Sequence, residues 1–221
     1  MISPDTSQSP SAAAATSMTT VKLLVASTIL LFVCTLSSSL GGYGLITWSL
    51  HPLSMYLSFL LLIPLSFGEL AKSLEYTSLS KQYPQINGTT LHAILNGLAF
   101  IFILFGYFIA WYVHELKGKS HFPPLTKGIV RVLHVYVGFS LILALCVQAT
   151  VGALRFFGFP QLRNLQFIHS SMGKILWAIS LFVLGGGVFI MLVEGTKSYV
   201  TAALSLFLVG LVAHFILKRA V

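Results

Sequence analysis

Four histidines, His51, His92, His134 and His169, stand in or at the edge of long apolar runs, and two of them share a local pattern. In RVLHVYVGFS, residues 131–140, His134 is followed four residues later by Gly138. In NLQFIHSSMGK, residues 164–174, His169 is followed at the same distance by Gly173. An imidazole in such a setting is either an interior hydrogen-bonded side chain or a metal ligand. One could be an accident of packing, but matching settings ask for a shared cause.

The elements that position these residues follow from composition. The chain has 221 residues, 56% hydrophobic and 8% charged, with a mean hydropathy of +0.90, far above that of a domain with a normal charged surface. It reads as a membrane protein. The formal charge of +8 comes from 13 Lys and Arg against 5 Asp and Glu. No basic run is present, so these cations read as loop and flank anchors in a lipid bilayer, and nucleic acid is not an expected partner. Cys34 and Cys146 lie within apolar segments and read as small packing residues rather than a disulfide framework.

Residues 1–20, rich in Ser, Thr, Ala and Pro, read as a disordered cytoplasmic tail. Six apolar segments of membrane-spanning length follow, at about 21–40, 45–71, 90–113, 127–154, 167–193 and 198–217. The expected fold is therefore an all-α membrane protein of six transmembrane helices, with 21–217 as one domain and 218–221 as a short C-terminal tail. Lys22 and the stretch TLSSSLGG give the first segment some features of a signal peptide, and a retained helix is the expectation. The loop cations favour both termini on the cytoplasmic side. Asn87-Gly88-Thr89 is a glycosylation sequon on that same side, so a sugar on Asn87 would invert the topology. LKRAV at the C-terminus shows no retention motif, which leaves endomembrane and plasma membrane open.

The four histidines fall one each near the starts of segments two to five. Successive spanning helices run in opposite directions, so His51 and His134 share one depth and His92 and His169 share the other. Two imidazoles facing each other between helices of a bundle suit a flat cofactor with two axial positions, a bis-histidine haem. Zinc fits less well, because each layer offers two ligands where a structural zinc site wants four. The expected core is a four-helix bundle of helices two to five holding two haems. Gly138 and Gly173, one turn from the ligands, would let a porphyrin lie close to the backbone, and Asn96 holds the corresponding position after His92.

Trp48-Ser49-Leu50-His51-Pro52, His92 opening the third segment, GKSHF at 118–122, His134 with Gly138, and IHSSMG at 168–173 together resemble the cytochrome b561 family. The resemblance spans 45 to about 195 and is nearest to the small stand-alone members. It implies a di-haem transmembrane electron carrier in which His51 with His134, and His92 with His169, ligate the irons of two haem b groups. It also implies ascorbate as cytoplasmic reductant, a ferric chelate or monodehydroascorbate as acceptor on the other side, and association as a homodimer. The basic run that some members carry before the third-helix histidine is not evident in EYTSLSKQYPQINGTTLH.

Haem propionates need cationic partners. Arg131, three residues before His134, is the candidate at one end; Lys81, Arg155 and Arg163 at the other could instead attract an anionic reductant. Lys119 and His121, with Lys117, form a small basic cluster where the resemblance puts the acceptor. Two other readings stay open: a di-haem cytochrome b subunit passing electrons to quinone or a partner protein, and a haem-free transporter or scaffold with interior histidines.

Overall fold

The computed structural model describes residues 46–67, 88–159 and 165–195, and the single positions 26, 29 and 33. Most of the 21–40 segment, the whole 198–217 segment, both tails, Lys81, Asn87 and Arg163 lie outside the described residues. The described chain is helical, with no strand among its residues. Helix α1 (Ile46–Tyr56), a π-helical turn (Leu57–Leu62) and α2 (Ile63–Ser66) form one continuous rod. Then come α3 (Gly88–Leu116), a short 3₁₀ turn (Leu125–Lys127), α4 (Ile129–Phe156) and α5 (Gln166–Gly195).

Four of these helical stretches are long and apolar enough to cross a membrane, at Ser49–Ser66, Gly88–Leu116, Ile129–Phe156 and Gln166–Ile190. They coincide within a few residues with the second to fifth predicted segments. Helices are the expected answer for such sequences, because every backbone N–H and C=O in hydrocarbon must find its partner within the segment. Gly118 and Gly158, at φ +57° and +82°, supply the left-handed residues that follow α3 and α4.

The rod packs along α3, and α4 packs along α5; α3 also meets α4 and the rod meets α5, so the four close a ring of contacts. Tyr56, Leu60, Ile103, Leu141, Trp177 and Val188 belong to its shared core. In the rod 56% of the apolar window is buried, against 11% in α4. The rod is thus the inner element, while Phe105, Phe108, Leu143 and Val147 lie on outward apolar faces suited to lipid.

Serines, not only apolar side chains, line the rod's buried face. The Ser58 hydroxyl is fully buried and lies 2.8 Å from the Ser54 carbonyl and 3.0 Å from the Ala99 carbonyl of α3. Its small size lets the helices approach closely. Ser58→Ala is expected to lower stability by about 1 kcal/mol in a denaturant titration, the typical worth of one such bond.

Candidate functional site

The histidines meet in two pairs. The rings of His51 (α1) and His134 (α4) have centres 6.4 Å apart with their planes at 88°. Those of His92 (α3) and His169 (α5) are also 6.4 Å apart, with their planes at 73°. No group of three or more His, Cys, Asp or Glu side chains able to hold a metal forms among the described residues. Each pair therefore offers two opposed imidazoles.

Main-chain carbonyls orient three of the four imidazoles. His51 Nδ1 donates to the Gly106 carbonyl of α3, His92 Nδ1 to the Ser66 carbonyl at the end of α2, and His134 Nδ1 to the Val183 carbonyl of α5, each at 2.9 Å. A carbonyl can only accept, so these bonds hold the proton on Nδ1 and put the ring's lone pair on Nε2. This is how metal-binding imidazoles are commonly oriented. His169 differs: its Nδ1 is buried without a hydrogen-bond partner among the described residues, and its backbone carbonyl receives the Gln148 side-chain amide at 2.6 Å.

The helices run so that these contacts alternate. His51, early in α1, reaches the later part of α3, and His92, early in α3, reaches the end of α2. Between α4 and α5, His134 reaches Val183, and Gln148 reaches back to His169. The interval along α3 from His92 to Gly106 equals the interval along α5 from His169 to Val183. At a rise of 1.5 Å per residue, either interval puts the two pairs roughly 20 Å apart.

Glycines make room for two of the rings. A Cβ on Gly187 would stand 2.6 Å from His134 Cε1, and one on Gly152 would stand 3.1 Å from His169 Cε1. Neither position drew notice in the sequence, because each lies far from its histidine along the chain; nor did Gly106, Ser66, Val183 or Gln148. The only local signal was Gln148, a polar residue inside an apolar helix.

Gly138 and Gly173 lie where α4 and α5 approach each other. Added Cβ atoms there would meet Val183 Cγ1 at 3.4 Å and Gln148 Nε2 at 3.0 Å respectively. Asn96 lies against His92, its amide nitrogen 3.4 Å from both ring nitrogens and donating to the His92 carbonyl at 2.9 Å. Arg131 lines a cavity of about 320 Å³ with Lys127, Phe189 and Ile190, one turn before His134. Arg155 is half-buried near the end of α4.

After α3 the chain builds a polar-aromatic cluster. His121 stacks on Trp111 with ring centres 3.5 Å apart and planes at 7°, and its Nε2 is 2.7 Å from Glu115 Oε1. The His114 ring lies 5.8 Å from it. Lys119 is exposed beside this group. The basic cluster expected here thus includes a carboxylate, and Glu115 is engaged by His121.

No curated protein matches this chain. The sequence profile of eukaryotic cytochrome b561 matches residues 50–164, a span that takes in His51, His92 and His134 and stops short of His169. That span is a little over half of the 221 residues, and the chain belongs to the cytochrome b561 family, whose chemistry is haem-based electron transfer in a membrane.

Proposed function

We propose that this protein moves electrons across a membrane by way of two haem b groups, one at the His51/His134 pair and one at the His92/His169 pair. The observation that carries this reading is the 6.4 Å separation of the rings in both pairs. A metal–imidazole bond is about 2 Å and a ring nitrogen is about 1.1 Å from the ring centre, so two imidazoles opposed across one metal have centres roughly 6 Å apart. The carbonyls that hold Nδ1 of His51, His92 and His134 support it further, because they turn Nε2 into the coordinating atom.

Haem held by two imidazoles supplies one-electron oxidation and reduction with no open position for oxygen or substrate. The residues supply the rest. Gly152 and Gly187 leave room for two of the rings; Gly138, Gly173 and Asn96 border the histidines and are the candidates for porphyrin contact. Arg131 at one end and Arg155 at the other offer cations to carboxylates, with Lys81 and Arg163 completing the second group.

The proposed reductant is cytoplasmic ascorbate, drawn to the end bearing Lys81, Arg155 and Arg163. The proposed acceptor on the other side is a ferric chelate or monodehydroascorbate meeting Lys119 and His121. An anionic chelate suits that end better than bare ferric ion, since Glu115 is already engaged by His121. The activity is then that of a transmembrane ascorbate-dependent ferrireductase or monodehydroascorbate reductase.

Purification of the full chain tests the proposal. Two low-spin haems b per chain, reduced by ascorbate, and reduction of external ferric citrate by ascorbate-loaded liposomes are the expected results. A haem content below two, or electron delivery only when a quinone is added, would count against it.

A further inference from the structure

The rod uses a different spacing from its neighbours. On α3 and α5, the interval from the histidine of one pair to the carbonyl that holds the other pair is the same, His92 to Gly106 and His169 to Val183. On α4 the interval from His134 to Gln148, which bonds the His169 carbonyl, matches it again. In the rod, the interval from His51 to Ser66, whose carbonyl holds His92, is longer by a single residue. In an unbroken α-helix one extra residue turns a group by about 100° around the axis. The Ser66 carbonyl would then face away from the His92 ring. A π-turn, with its i→i+5 bonds, takes up an additional residue, and so lets the longer interval here do what the shorter one does in the other helices.

That turn leaves one acceptor stranded. The Ile63 N–H bonds to the Ser58 carbonyl rather than to that of Phe59. The next donor in the same pattern is residue 64, which is proline and has no N–H. The Phe59 carbonyl therefore lacks a donor from either residue, at a buried position where an unmet acceptor is costly. Trp177 Nε1 donates to it at 2.9 Å. The same indole stands edge-on to Phe67, just past α2, with ring centres 5.3 Å apart and planes at 90°. Trp177 is 2% exposed and lies on α5, two turns after His169.

We propose that Trp177 is a positioning residue for the His92/His169 pair: its indole N–H completes the π-turn whose extra residue aims the Ser66 carbonyl at His92. Helix α5 then governs both imidazoles of that pair, His169 directly and His92 through Phe59 and Ser66. The haem assignment enters only one arm of the test.

Trp177→Phe keeps most of the ring and removes the donor. Adding Pro64→Ala gives residue 64 an N–H directed at the Phe59 carbonyl. In the purified full chain, Trp177→Phe is expected to speed hydrogen exchange across residues 57–67 by about 5- to 150-fold, the factor equivalent to one unmet buried acceptor. It should also shift the spectrum and midpoint potential of one haem, the one that His92→Ala removes, and leave the other unmoved. The double variant Trp177→Phe/Pro64→Ala should recover both properties. Unchanged exchange in Trp177→Phe, no recovery in the double variant, or an equal shift of both haems would overturn the proposal. A preparation without haem would defeat the haem assignment, while the exchange comparison would still decide the role of Trp177.

Discussion

Exchanging His134 for alanine is expected to leave a protein with one haem in place of two. The expectation follows from how the pairs are built. His134 meets His51 and no other histidine of the four, and the His92/His169 pair lies roughly 20 Å away, on α3 and α5. Loss of one axial nitrogen should therefore empty one position and spare the other. His51→Ala should give the same product, and the double variant should be no worse than either single one, because the two residues act as a unit. Haem content per chain together with the reduced absorbance band measures this. Retention of two haems, or loss of both, would contradict the pairing. The mirror experiment with His92→Ala should remove the other haem, which assigns each spectral component to its pair.

A single methyl group far from any ligand in sequence should do nearly as much damage. His134 reaches the Val183 carbonyl past Gly187, which lies one helical turn further along α5. A Cβ added there would stand 2.6 Å from His134 Cε1 and 3.1 Å from Nδ1, distances at which atoms must move. The obstacle is a ring packed within the bundle, not the end of a flexible chain. Gly187→Ala should therefore push the imidazole off the Val183 carbonyl and weaken haem retention at the His51/His134 pair by about 10- to 100-fold, the usual cost of losing a ligand's orienting partner. Overpacking adds about 1–3 kcal/mol of destabilisation. Gly152→Ala, whose nearest contact with His169 is 3.1 Å, should have a smaller effect on the other pair. Haem titration of the two variants decides the matter: equal retention by Gly187→Ala and the unmodified chain would show that the ring has room the geometry denies it.

Both predictions bear on what a reader of the sequence could see. The spacing of the turn signals, the near absence of charge and the histidine at the start of each of four apolar segments were legible. They led to the second to fifth segments within a few residues of the described helices, and alternation of spanning helices set His51 beside His134 and His92 beside His169, the rings that lie 6.4 Å apart in each pair. Membership of the cytochrome b561 family was legible too, in local strings such as IHSSMG and the histidine–glycine pair at His134.

What could not be read was everything that depends on which face of one helix meets which face of another. Gly138 and Gly173 drew notice because they are four residues from a histidine. Gly152 and Gly187 have the closer contact with the rings, yet each lies on a different helix from the ring it admits. The same holds for the carbonyls of Ser66, Gly106 and Val183. A main-chain carbonyl has no residue type to betray it, and its availability depends on a helix end, a small neighbour or a bend. The π-turn is the clearest case. Pro64 can give the Phe59 carbonyl no N–H, and the donor that answers it, Trp177, comes three spanning helices later. By itself the sequence determined the class of protein, the course of the four described spanning helices and the place of one imidazole near the start of each, since these rest on composition and period. Only the tertiary structure decided how each imidazole is held, since that depends on distances between helices that no spacing along one chain records.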